Sequence, residues 1–426
     1  MKSSLPPALP LPEQPTPTPA RPGLRRGLSW TLLGNAVYAL SQWGMLILLA
    51  RLSSPETVGE YSLALAVSAP LYMAANLQLR GVQATDAAAR YRPGDYLVLR
   101  LLTTALAFGA LLMVVQSHAP ALRSVMILIG LAKAFESVSD VLYGRIQAQE
   151  RMDMIGRSTL AKGPLSLLAL WAGFEWGALP GVAGLLAVSW LALLLLYDLP
   201  NARRLGNAKE WRLGGFSTLW QLFVTALPLG VVMGLVSLGA NLPRYSIESV
   251  LGTHALGVFS ALAYLMVAFG VPVSAVGQTI SPRLAHYFAN RQNTAFLQLI
   301  GRVTAGVAIL GLLIVLGAIL VGQPVLALVY GAAYAGQAEL FVWLMGAAVV
   351  SYAASILGFA MTATQRFTAQ VPLFAGVTAL LWLLCRLWIP EYGLIGAARA
   401  MLVANTVQLL GSAGVVALAL GKRSTS

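Results

Sequence analysis

Charge is what this sequence lacks most. Only 10% of its 426 residues are charged, while 58% are hydrophobic, against roughly 25% charged in a soluble globular domain. So few charges cannot cover a water-soluble chain of this length, which excludes the soluble classes. Cysteine is nearly absent as well: the single one, Cys385, lies inside an apolar run, so an internal disulfide and a thiolate metal cluster are both excluded. The three histidines, His118, His254 and His286, are too widely spaced for a zinc site or a catalytic triad. No Gly-x-x-x-x-Gly-Lys-Ser/Thr loop occurs, so the chain brings no ATPase of its own. Alternating segments of about ten residues, the mark of a transmembrane β-barrel, are missing too.

What is present is a series of apolar runs of about 20 residues, the length that crosses a hydrocarbon core of roughly 30 Å. They predict an all-α polytopic membrane protein with twelve transmembrane helices near 30–50, 61–79, 97–116, 122–142, 158–175, 178–197, 219–240, 255–276, 299–321, 337–361, 371–389 and 393–418. The fourth carries charges within it, and the fifth and sixth are parted only by the turn-forming "FEWGALPG". Residues 1–28 are Pro-rich and lack the apolar core of a signal peptide. They read as a disordered, extended tail. A six-helix lobe over 29–212, a second over 213–420 and a short tail over 421–426 complete the expected layout.

The net charge of +13 has a direction. If the N-terminal tail and every even-numbered loop share one side, that side receives all but six of the 28 basic residues. The six are Arg51, Arg123, Lys133, Arg244, Arg386 and Arg399, within or at the ends of spans. The positive-inside rule then puts both termini in the cytoplasm. The basic residues serve topology and anionic headgroups, so no nucleic-acid partner is expected.

One pattern occurs twice. "LLARLSSPETVGEYSLALA" after the first span is echoed by "NLPRYSIESVLGTHALGVFSALAY" after the seventh. Each sets an arginine at a helix edge and then Gly-x-aromatic-Ser: Gly59-Glu60-Tyr61-Ser62 and Gly257-Val258-Phe259-Ser260. Gly34 and Gly230 precede these at similar separations. Six spans between copies is an even number, so the halves insert in the same orientation, as a parallel repeat with a cleft between lobes. A channel would want a carbonyl filter such as Thr-Val-Gly-Tyr-Gly, and none is found.

An ionisable group in the hydrocarbon costs at least about 2.5–3.5 kcal/mol, so each one within a span asks for a partner or a wet cavity. Lys133, Glu136 and Asp140 share one stripe of the fourth span. They form either a cavity wall, with Glu136 and Asp140 as ion-coupling groups, or a buried pair that pins helices together. Arg51 and Arg244 close spans 1 and 7 on the outer side. They either snorkel to headgroups or face an anionic substrate, whose phosphate oxygens the planar guanidinium fits. Arg399 lies deep in span 12 with no partner on its own helix. Asn35, Gln42 and Asn76, with Gln78, add polar groups to the first two spans as cavity lining or interhelical glue. Prolines at 70, 164, 228, 272 and 372 fall inside spans, and "AFGVPVSAVG" around Pro272 marks an expected bend.

Five stretches in order, the two echoed ones together with "VLYGRIQAQERMD", "ISPRLAHYF" and "VLALVYGAAYAGQAELFVWL", resemble the Wzx-type polysaccharide flippases. These belong to the multidrug/oligosaccharidyl-lipid/polysaccharide exporter superfamily, and the resemblance runs over roughly residues 29–420. It implies two six-helix bundles in a V that rock between inward- and outward-open states. It also implies a bacterial inner membrane location and an undecaprenyl-pyrophosphate-linked oligosaccharide as cargo. No cofactor and no enzymatic activity are implied. The expected partners are membrane lipids, a polysaccharide polymerase and a chain-length regulator. Lipid II flippases of the superfamily hold an important arginine near the outer end of their first helix, the position of Arg51 in "LLARL". The two extra helices of those proteins have no counterpart here. A small-molecule antiporter of the multidrug and toxin extrusion type would share the fold, but it would favour an acidic cavity over one offered Arg51, Lys133, Arg244 and Arg399. A membrane glycosyltransferase or polymerase would want a large polar loop with acidic residues, and the interspan segments are short.

Overall fold

The computed structural model describes residues 24–86, 90–364 and 367–424, so most of the Pro-rich tail and the chain's last residues lie outside it. Eight helical stretches are long and apolar enough to cross a membrane. Three of them cannot be single rods. A straight helix over Phe216–Ala289 would measure about 110 Å at 1.5 Å per residue, several bilayers deep. Helical dihedrals fail at Gly177 and Ala178, at Gly252 (φ 80°) and at Gly393 (φ 60°), and the chain reverses there. The first and last reversals are tight enough that a Cβ on Gly173 would strike the Val182 backbone, and one on Gly396 the Trp388 carbonyl. Each of the three therefore supplies two helices. Pro120–Ala148, whose internal charges lower its hydropathy, completes a set of twelve among the described residues.

In chain order these are α1 (Leu24–Leu52), α2 (Pro55–Ala75), α3 (Pro93–Val114), α4 (Pro120–Ala148), α5 (152–176) and α6 (179–204). The second half comprises α7 (216–251), α8 (253–289), α9 (Asn293–Tyr330), α10 (Ala338–Ala363), α11 (367–392) and α12 (394–424). Prolines in the first turn start α2, α3 and α4, where the missing N–H costs nothing. One face of the molecule gathers the exposed Arg90, Arg203, Arg204, Arg212 and Arg291 and is called the basic face below. The opposite face carries the turns at 53–54, 177–178, Gly252 and Gly393.

Packing follows the small residues, because lipid gives helices no hydrophobic reason to associate and close backbone approach must supply the contact. α1 lies on α5 through Gly34, where a Cβ would strike Gly156 O, and through Gly163, which sits against Ser41 and Tyr38. α2 lies on α7 where Gly230 and Gly234 meet Ala74.

Three differences from the sequence reading bear on the site. α5 begins at Met152 rather than near 158, so Lys162, counted with the basic side in the charge tally, lies well inside the span. It sits about 15 Å along a helix and is only 5% exposed. Arg100, counted with the same side near the start of the third span, is wholly buried in α3. α7 continues to the turn at Gly252, which leaves Arg244 about two turns, ~10 Å, inside the helix rather than at its end. Around the expected bend at Pro272 the backbone keeps helical dihedrals; the only non-helical residue in 216–289 is Gly252.

Candidate functional site: a cleft sealed at one face

The two lobes meet along α2 and α7, where Ala74 and Leu77 pack on Gly230 and Leu222, and again at the opposite face. There α2 crosses α8 at the two echoed glycines: a Cβ on Gly59 would strike Thr253 O and lie 3.1 Å from Gly257 N, and one on Gly257 would strike Pro55 O. Around this crossing Arg51 Nε of α1 donates to Val329 O in the last turn of α9 at 2.9 Å. Trp43 Nε1 reaches the Tyr330 hydroxyl at 3.4 Å, and the Tyr245 hydroxyl of α7 donates to Ala66 O of α2. Every one of these bonds joins the first six helices to the last six.

Behind the seal lies a cavity of about 910 Å³. Its walls come from α1 and from α7, α8, α10, α11 and α12, largely from the halves of α1, α8, α10 and α11 nearer the basic face. Most of the lining is apolar, with Asn35, Gln278, Asn405 and Gln408 as neutral hydrogen-bonding groups. Arg244 is its one charged residue, and no aspartate or glutamate lines it. Arg244 Nη1 donates to Asn241 Oδ1 at 3.0 Å and Ala240 O at 3.3 Å, with no carboxylate partner among the described residues. A guanidinium so placed is preorganised for an anion.

Beside the cavity, inside the first lobe, sits a second group of charges. Glu136 of α4 accepts from Lys162 Nζ of α5 at 2.6 Å, from Lys133 Nζ at 2.8 Å and from the Tyr38 hydroxyl of α1 at 3.2 Å. The Trp190 ring of α6 lies under both ammonium groups, 4.1 Å from Lys162 and 5.3 Å from Lys133. The cluster has one lysine in excess. Tyr61 is an electrostatic neighbour of Glu136 and of Tyr264, and Tyr264 of Arg244.

The remaining sequence candidates fall elsewhere. The expected Lys133–Glu136–Asp140 stripe divides: Asp140 turns to Arg100 at 3.1 Å and Arg80 at 3.5 Å, and Arg100 also donates to Asn76 Oδ1. Arg51 does not line the cavity; it belongs to the seal. Arg399 is held between the rings of Trp343, at 4.7 Å, and Tyr392, at 5.2 Å. Gln42 Nε2 is buried without a partner among the described residues. Sequence reasoning missed Lys162, Tyr38 and Trp190. The polar run "GRSTLAKGP" disguises the first turns of α5 as the interfacial edge of the span, and nothing in one sequence brings α1, α4, α5 and α6 together.

Together these helices and their cleft define a multi-pass membrane protein of the two-lobed, V-shaped exporter fold. No family model matches the chain. It superposes on the inward-facing conformation of a multidrug resistance MATE family transporter of the MOP superfamily with a TM-score of 0.73 at 13% identity, covering 95% of this chain and 99% of that one. The lipid II flippase MurJ in an inward closed conformation gives a TM-score of 0.73 at 10% identity, over 92% of this chain and 87% of MurJ. In sequence, the capsular polysaccharide biosynthesis protein CapF of Staphylococcus aureus is 24% identical over 388 residues, 90% of this chain and 97% of CapF.

Proposed function

We propose that this chain flips an undecaprenyl-pyrophosphate-linked oligosaccharide from the cytoplasmic to the periplasmic leaflet of a bacterial inner membrane, for surface polysaccharide biosynthesis. The observation that carries the reading is the cavity: about 910 Å³, one uncompensated arginine, no acid. A diphosphate meets Arg244, and sugar hydroxyls meet the amides of Asn35, Gln278, Asn405 and Gln408. The prenyl chain stays in the lipid. The likeness to a capsular polysaccharide biosynthesis protein along nearly its whole length supports a polysaccharide role, and the shared fold of a lipid II flippase supports a lipid-linked cargo.

With the basic face and both termini in the cytoplasm, the cavity loads from the leaflet where such a lipid is made. Transport then requires the seal of Gly59, Gly257, Arg51 and Tyr245 to part while the basic-face end closes. Lys133, Lys162 and Glu136 stand beside the path, and uptake of a proton or sodium ion by Glu136 would free two lysines. A polymerase and a chain-length regulator act on the delivered product.

A cation-coupled small-molecule antiporter shares the fold, yet a cationic drug would meet Arg244 with no carboxylate to offset it. The test is reconstitution. Proteoliposomes carrying the purified chain should move a labelled polyprenyl-diphosphate oligosaccharide between leaflets and leave a cationic dye in place. Dye transport without glycolipid transport would reverse the assignment.

A further inference from the structure

On the flank of the first lobe, away from the cleft, α3, α4 and α6 enclose a second hollow of about 460 Å³. Its walls are almost wholly apolar, with Leu101, Phe108, Phe135 and Leu195 among them, and no acidic residue takes part. Arg203, exposed at the basic face, stands at one end. Arg203 makes no ion pair among the described residues, and Arg204 beside it is exposed too. From Arg203 to Leu191 the hollow follows α6 for about 18 Å, which reaches past the middle of a core of roughly 30 Å.

The hollow has a structural cause. Leu194–Asp198 is a π-helical turn, one residue looser than its surroundings. Asp198 is drawn inward, where its carboxylate accepts from Ser158 Oγ at 2.7 Å and from the Tyr143 hydroxyl at 3.4 Å. The inserted residue leaves Leu195 and Leu196 facing outward, exposed beside the opening.

From this geometry we infer that the hollow binds one anionic phospholipid of the leaflet at the basic face, its acyl chain between α3, α4 and α6 and its phosphate on Arg203. An apolar concavity that opens into a bilayer fills with a lipid chain. The unpaired guanidinium at headgroup depth selects the anionic species, because its planar fork takes two phosphate oxygens. Nothing in this inference depends on what the cleft transports.

The experiment is native mass spectrometry of the whole protein, released from micelles doped with equal phosphatidylglycerol and phosphatidylcholine. One phosphatidylglycerol per chain should survive delipidation of the wild type. Arg203→Gln should weaken its retention about tenfold, and Ala134→Phe, which fills the hollow, should remove it. Arg244→Gln should leave it unchanged. Melting in the same micelle checks folding, and if Ala134→Phe fails there, Arg203→Gln decides alone. Equal retention of phosphatidylcholine, or undiminished phosphatidylglycerol in Arg203→Gln, would mean annular lipid only and overturn the inference. Preferential retention of added polyprenyl phosphate would overturn it as well.

Discussion

Gly59 and Gly257 face each other across the two lobes, backbone against backbone, at the crossing of α2 and α8. The repeat seen in the sequence is thus a physical contact: the same motif, once from each half, touches its own counterpart. The obstacles to a larger residue are the Thr253 and Pro55 carbonyls, which cannot swing aside as a side chain would. Gly257→Ala should wedge this face apart. Overpacking costs about 1–3 kcal/mol, a shift of roughly five- to hundredfold in the balance between closed and open seal. A cysteine placed at Tyr264, with Cys385 replaced by alanine, should then react with an impermeant maleimide from the sealed side. The same cysteine beside wild-type Gly257 should stay protected, and equal labelling in both would refute the wedge.

Arg244 supplies the cavity's single charge. Hydrogen bonds to charged groups are worth about 1.5–3 kcal/mol, so Arg244→Gln should weaken binding of the proposed diphosphate cargo by about 10- to 100-fold. Arg244→Lys should recover part of this, since it keeps the charge and loses the fork. Export of surface glycan in a complemented deletion strain measures the effect, with membrane insertion checked alongside. Full export by the Gln variant would remove Arg244 from the path.

Among the described residues, Glu136 is the acid that pairs with both Lys133 and Lys162. Glu136→Gln leaves two ammonium groups facing one another, whereas Lys133→Gln leaves the Lys162–Glu136 pair intact. Breaking a buried pair costs about 3–5 kcal/mol, and the 27% exposure of Glu136 places this one at the lower end. The Gln variant at 136 should therefore melt well below the one at 133. It should also slow turnover more than binding, and respond less to an imposed pH gradient. Proteoliposomes under a pH gradient and under a potential, applied separately, check this. Unchanged gradient dependence would reduce the cluster to a structural brace.

Arg100 has no exposed surface and depends on Asp140 and Asn76. Asp140→Asn leaves Arg80 as another cation nearby and, with Asp140 31% exposed, should destabilise the fold by about 3 kcal/mol, the lower end for a broken buried pair. Joint replacement by Arg100→Met and Asp140→Leu should restore much of the loss, because it removes the buried charge altogether. Thermal unfolding in nanodiscs compares the three proteins.

The helices were legible because a bilayer demands length and apolarity, and both are properties of a continuous segment. Even the charged α4 was found. The charged residues were located less well. Lys162 and Arg100 looked like residues of the basic side because polarity near a helix start reads as interface, and only their helical partners reveal that they are buried. Arg51 and Arg244 share a motif position but not a role, since α7 runs on past the motif arginine while α1 ends beside it. Asp140 fell on the same stripe as Glu136, and no periodicity could tell that Arg80 and Arg100 would claim it.

The bare Arg244 has an electrical consequence. Empty, the cavity is positive; holding the proposed diphosphate cargo, with its two charges, it would be negative. With the cell interior negative, the loaded step outward and the empty step back both run down the field, at about 2.3 kcal/mol per charge per 100 mV. Under the proposed function and orientation, a single uncompensated guanidinium would make the carrier a rectifier, in which occupancy sets the sign of the charge that moves and the membrane voltage sets the direction of travel.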